Sequence, residues 1–191
     1  MEIDAVTFVV IDVETTGLDP AQGDRVCEVG AIKIQAGREL GRFESLVNPE
    51  RDIPEPARAK NRITDEMVRE APTFAAIAPK LRPFLAGTVF VAQNAEFDLG
   101  FVNAEFVRAG MGKLTIPAAD TIPLARRVRP GLPRYNLDTL AHHFGLKFNS
   151  RHRSIGDCEV TVRVFLECLK ALRQRGEVRS LEDLVRKGGV R

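Results

Sequence analysis

No apolar run in these 191 residues approaches the ~20 that a membrane-spanning helix needs. The opening MEIDAVTFVVIDVE sets acids in and around its apolar stretch, so a secretory signal is not expected either. Cys27, Cys158 and Cys168 are an odd set without C-x-x-C spacing, which points to buried thiols in a reduced, cytoplasmic protein. Internal repeats, low-complexity tracts and obvious linkers are also missing. With 44% hydrophobic and 28% charged residues, the chain reads as one soluble globular domain, long enough to bury a real core. Nor does charge advertise a nucleic-acid partner, since the formal net charge is only +2. Positive charge is local instead: Arg126, Arg127, Arg129 and Arg134 lie in LARRVRPGLPRY, and Arg151 and Arg153 flank His152. Loops of this kind suit a phosphate backbone, and they suit ordinary solubilising surface equally well.

Hydrophobic patterning sets out the elements. VTFVVIDV (6–13) reads as a buried strand, followed by strands at 25–35 and 39–47 with Gly37 in the turn between them, an antiparallel meander. The Pro-bearing stretch 48–72 is expected to be mostly loop, with one short helix from Asp65 to Glu70. The pattern over 73–87 is helical, although Pro79 and Pro83 should kink or split it. GTVFVAQ gives a fourth strand, and Asn94 is positioned to cap a helix over NAEFDLGFVNAEFVRAG. A short strand near 116–120 precedes a helix over 121–128. Asn136 caps another over NLDTLAHHFG, and a long helix covers 156–174. Ser180 and Asp183 form a capping-box pattern before a short terminal helix. Strands first, then strands alternating with helices, describe an α/β protein: a mixed sheet covered by helices.

Five side chains carry the chemistry. Asp12 and Glu14 stand two apart at a strand end and so project from one face, where they repel unless a cation or proton offsets them. For D-x-E alone, solvated acids at a strand end are the more common explanation. Asp98 lies one turn into its helix beside an apolar face, a position that the helix dipole alone would favour. Asp157 shares a helical face with Val160, Thr161 and Val164; buried there, it wants a partner, and a cation is a reasonable one. His152, in a basic loop, titrates near neutral pH as a general base for water does. Four carboxylates and one histidine are the set that a two-metal phosphodiesterase needs. His142 and His143 are assigned no role.

Together these segments resemble the DEDDh branch of the DnaQ-like 3′–5′ exonucleases, above all the proofreading epsilon subunit of DNA polymerase III and the matching domain of the Gram-positive replicative polymerase. FVVIDVETTGLDP, NAEFDLGFV and HRSIGDCEVTVRVF match the three motifs, the last with H-x4-D spacing. ITDEMVREAPTF and NLDTLAHHFGL also look like the family's connecting segments, so the likeness runs from about residue 6 to about residue 172. It implies a ribonuclease H-like fold, a mixed five-stranded sheet flanked by helices, with an exonuclease domain over 1–175 and a short basic segment over 176–191. By the same resemblance, Asp12, Glu14 and Asp157 would hold one Mg²⁺ or Mn²⁺. Asp12 would bridge to a second, supported by Asp98, and His152 would take a proton from the attacking water. Thr15, Thr16, Leu18, Asn94 and Phe97 would contact the terminal nucleotide. Gln93 stands where the family usually has histidine; it can still hydrogen-bond a phosphate or sugar but carries no charge. The implied substrate is the 3′ end of single-stranded or frayed DNA, with nucleoside 5′-monophosphates as products and proofreading as the role. RNA ends are the near alternative, and a catalytically silent binding module is the distant one. A DNA polymerase subunit is the implied partner, although residues 175–191 carry no convincing clamp-binding motif.

Overall fold

The apolar run after the first turn forms β1 (Thr7–Thr15), which ends two residues later than the pattern predicts and keeps Asp12 and Glu14 inside a regular strand. The computed structural model describes residues 1–190. β2 (Val26–Gln35) pairs antiparallel with β1, and β3 (Arg38–Leu46) antiparallel with β2, giving the expected meander. Ala36 and Gly37 turn the chain with φ of 46° and 76°, a left-handed pair of the kind that tight hairpins favour. β4 (Val89–Ala92) and β5 (Ala118–Asp120) add in parallel on the other side of β1, so the sheet order is β3-β2-β1-β4-β5. This is the mixed five-stranded sheet of the ribonuclease H-like fold.

Helices cover both faces. α3 (Phe74–Leu85) and α4 (Ala95–Arg108) pack on one. α5 (Thr121–Val128), α6 (Leu137–His143), α7 (Ser154–Gln174) and α8 (Leu181–Gly188) pack on the other. Strand alternation divides β1 between the two cores. Val9, Ile11 and Val13 join Phe101, Val102 and Phe106 of α4, whereas Phe8 and Val10 join Val160, Val164 and Phe165 of α7. Asp12 and Glu14 continue the Phe8–Val10 row and therefore emerge toward α7. Cys27, Cys158 and Cys168 are buried free thiols. Among the described residues no helix is long and apolar enough to cross a membrane.

Local expectations fail in three places. The stretch 48–72 holds a helix that the pattern did not predict, α1 (Glu55–Asn61), besides α2 (Asp65–Val68). Its prolines read as breakers, yet Pro54 is the cap and Pro56 lies in the first turn, where a missing N–H costs nothing. α3 is one continuous helix, so Pro79 and Pro83 do not split it. Both prolines face solvent while Phe74, Ile77, Ala78, Leu81 and Leu85 are buried, so packing of the opposite face holds the helix together. Asn94 does not cap α4 with its side chain; its backbone is left-handed, with φ 68°. Asp120 does that work, accepting from the amides of Asn94 (3.2 Å), Ala95 (3.1 Å) and Ile122 (2.8 Å), and so caps α4 and α5 with one carboxylate. Asn136 and the Ser180–Asp183 box cap α6 and α8 as their patterns predict.

One close approach brings α7 to the sheet. Gly30 lies opposite Asp12 in the β1–β2 ladder, and a Cβ there would fall 2.6 Å from both Ile155 N and Ser154 C. Gly30→Ala is expected to destabilise the protein by about 1–3 kcal/mol through this overlap. Urea unfolding measures it; an unchanged midpoint would show that α7 can retreat at no cost.

Candidate active site

Asp12, Glu14 and Asp157 each offer a carboxylate oxygen, and these oxygens lie within 4.8 Å of one another. β1 supplies the first two from one face, and the first turn of α7 supplies the third. Asp98 comes from α4 and does not join that trio of oxygens. Its Oδ1 accepts the Val13 amide at 3.0 Å, an N–H beyond the point where β4 stops pairing with β1. It still acts on the trio, because after burial its charge is the largest contribution raising the pKa of Asp12.

The start of α7 is fixed by a residue that the motif reading passed over. Glu28 is buried opposite Glu14 and accepts from Ser154 N at 2.8 Å and Arg153 Nε at 2.8 Å. An anion at a helix N-terminus satisfies a free amide and complements the helix dipole. The signal was present as a charged residue inside the otherwise apolar VCEVGAI. Arg151 grips Asp138 through two contacts of 2.8 and 2.9 Å and also pairs with Asp157 Oδ2. Asp157 Oδ1, in contrast, is buried without a hydrogen-bond partner. An all-oxygen, acidic set with an unsatisfied buried oxygen fits a hard divalent cation.

Burial dominates the electrostatics. It raises Asp12 well above the usual carboxylate range, helped by Asp98, Glu14 and Asp157. It raises Glu14 to about 7, with Asp157 adding to the shift. Asp98 rises to about 8 by burial, against the opposing pull of backbone N–H donors. Asp157 rises to about 6 by burial, while Arg151 pulls it down. His152 is half-buried in the loop before α7, with a left-handed φ of 61°. Its pKa is lowered by burial first and then by the positive charge of Arg151, with Arg62 and Lys60 acting the same way, which favours the neutral ring.

The substrate-contact candidates divide between two neighbouring clefts. Thr15, Thr16 and Leu18 line one of about 380 Å³ with Glu14, Pro54, Pro56, Ala57, Lys60 and Asn61. α1, the helix missed from the sequence, thus builds a wall of this cleft. Asn94 and Phe97 line the other, of about 280 Å³, and Leu18 belongs to both. Leu18 is 79% exposed, a large apolar side chain free to meet a ligand. The hydroxyls of Thr15 and Thr16 are already engaged, with Gly17 O (2.6 Å) and with Asp24 Oδ1 (3.2 Å). Gln93 is likewise engaged within the fold. Its Nε2 donates to Tyr135 O at 2.6 Å and its Oε1 accepts from the Thr121 hydroxyl, so it staples the segment before α6 instead of offering itself to a phosphate or sugar.

An acidic trio where a central strand meets the start of α7, with Glu14 and Asp157 buried and Asp12 half-buried, in a mixed sheet of this order, defines a nuclease-type site. The Exonuclease family model, RNase_T, matches residues 9–165. The chain is 40% identical over 167 residues to the 3′-5′ exonuclease DinG of Bacillus subtilis, covering 87% of this chain and 18% of the relative. It is 38% identical over 178 residues to a DNA polymerase III subunit epsilon-like protein of Rhodobacter capsulatus, covering 91% of this chain and 25% of the relative. Exonuclease X, solved in complex with 5′ overhanging duplex DNA, superimposes with a TM-score of 0.71 at 25% identity, covering 93% of this chain and 96% of that one. The chain belongs to this exonuclease family. It spans only about a fifth to a quarter of the length of the two curated relatives.

The raised carboxyls give stability a sign. Each holds its proton more tightly folded than unfolded, so its contribution is complete below an unfolded pKa of about 4 and is lost as pH rises through the folded value. With folded values of about 6 for Asp157, 7 for Glu14 and 8 for Asp98, metal-free protein should lose thermal stability from mildly acid to mildly alkaline pH. Added Mg²⁺ or Mn²⁺ should raise Tm more at the alkaline end, where it need not displace protons. A metal-induced shift independent of pH would count against cation binding by these groups.

Proposed function

We propose that this chain is a 3′–5′ exonuclease that uses two divalent ions, Mg²⁺ or Mn²⁺. It hydrolyses phosphodiester bonds at the 3′ end of single-stranded or frayed DNA and releases nucleoside 5′-monophosphates. The observation that carries the reading is the trio of carboxylate oxygens within 4.8 Å, together with the buried, unpartnered Oδ1 of Asp157. Asp12, Glu14 and Asp157 would hold one ion, and Asp12 with Asp98 the other. The ions would offset phosphate charge and make water more acidic. His152, whose pKa is lowered by burial first and then by its positive neighbours, accepts the proton of the attacking water. In this reading Leu18, exposed and shared by the two clefts, packs on the terminal base, and Thr15, Thr16, Asn94 and Phe97 of those clefts contact the same nucleotide; its exposure supports this. Relatives named as exonuclease DinG and as polymerase III epsilon-like support action on DNA, proofreading, and association with a polymerase or a larger nucleic-acid enzyme.

Purified protein incubated with Mg²⁺ or Mn²⁺ and 5′-labelled single-stranded oligonucleotides tests this directly. The expected result is a ladder that shortens from the 3′ end of DNA and disappears with Asp12→Ala. A ladder on RNA alone would transfer the reaction to RNA turnover. No products from either strand would refute the exonuclease reading for this chain.

His152→Ala should reduce kcat by about 10²–10⁴-fold, the range for a general base, with the circular-dichroism spectrum unchanged. An unaltered rate would remove His152 from the mechanism.

A further inference from the structure

We propose that Lys60 and Arg62, at the end of α1, form a cationic edge that grips a backbone phosphate of the strand next to its terminal nucleotide. The proposal rests on the exonuclease reading and deepens it. Lys60 lines the same cleft as Glu14 and Leu18, and Arg62 lies just past the last turn of α1.

Both are fixed to the catalytic strand by the residue between them. Asn61 is buried; its Nδ2 donates to Thr15 O at 3.3 Å and its Oδ1 accepts the Ile63 amide at 3.0 Å. Thr15 follows Glu14 directly, so the end of α1 cannot drift from the carboxylates without breaking this contact. Charge completes the placement. Lys60 acts on Glu14, and both Lys60 and Arg62 act on His152. On the same helix Arg58 is committed to Glu55 and Asp65. Lys60 and Arg62 are exposed and make no ion pair among the described residues.

Helix stability explains Lys60 in part, since a cation favours a helix C-terminus. It acts on Arg62 as well, but does not explain a side chain at that backbone position. That residue has φ 61° and ψ 21°, and its amide closes the helix on Arg58 O. Glycine is the residue that this left-handed position favours, and a side chain there carries a steric cost. What Arg62 adds over glycine is a long cation next to Asn61, with its charge acting on His152. A nucleic-acid strand is a polyanion that this acidic site repels, and arginine and lysine contacts to phosphate position such strands without reading sequence.

Binding of 5′-fluorescein-labelled (dT)10, followed by anisotropy with Ca²⁺ in place of the catalytic ion, tests the edge. Lys60→Gln and Arg62→Gly should each weaken binding by about fivefold or more. Each should lower the slope of log Kd against log salt by about 0.7, the value for one single-strand phosphate contact. Arg62→Lys should retain most of the affinity. Thymidine 5′-monophosphate, which has no second phosphate, should bind wild type and both variants alike. Arg62→Gly should melt no lower than wild type, so that lost binding is not lost folding. An unchanged Kd and slope, an equal loss for the mononucleotide, or no oligonucleotide binding by wild type would each overturn the proposal. Wild-type binding with this salt dependence but no mononucleotide release in Mg²⁺ would leave the edge standing and remove the reaction.

Discussion

The mutual repulsion of the clustered carboxylates is the constraint around which the rest of this structure is organised. Two unit charges at the 4.8 Å limit of the trio repel by about 3 kcal/mol at an effective dielectric of about 20. No local preference would assemble such a group, so each member is delivered by an element held from elsewhere. β1 is the central strand and cannot move, since it is paired on both sides and packed on both faces. α7 is drawn in by the absent side chain of Gly30 and tied by Glu28 to β2. α4 is capped by Asp120 at its start, and its buried Glu105 holds Arg25 (2.7 Å) and the Val26 amide (3.2 Å) at the head of β2.

The protein balances the charge in two ways. Burial raises the carboxyl pKa values so that protons persist to unusually high pH, and Arg151 lends a guanidinium while Asp138 steadies it. Both forms of compensation are weaker than a divalent cation held by several oxygens, which is why the cluster suits one. The surroundings that make the acids basic make the histidine acidic. Burial disfavours charge on His152 as it does on the carboxyls, and its positive neighbours reinforce the shift. Raised carboxyl pKa values and a lowered imidazole pKa therefore follow from one environment.

The catalytic candidates were legible because their chemistry is written in residue type and local pattern. Two acids at alternate positions of an apolar strand must share a face, and an acid in the first turn of an amphipathic helix must sit at its buried end. What escaped the reading were residues that act through a distant partner. Asp120 gives no sign in sequence that it caps a helix beginning 25 residues earlier, and Asn94, with the composition of a cap, leaves that task to it. Gln93 was open to a substrate contact until Tyr135 and Thr121 were seen to take both its ends. α1 was hidden because the prolines that open it are also loop formers.

By itself the sequence determined the strands and most helices, the two acids of β1, the histidine-to-aspartate spacing before and within α7, and membership of an exonuclease lineage. These depend on periodicity and on residues close together in the chain. Only the tertiary structure decided that Asp12, Glu14 and Asp157 meet while Asp98 turns one oxygen to the Val13 amide. It alone placed α1 as the wall of a cleft, with Lys60 in the same cleft as Glu14 and with Arg62 near enough for its charge to act on His152. The reason is physical: contacts between residues tens of positions apart are fixed by how helices pack on a sheet, and no local pattern records that distance.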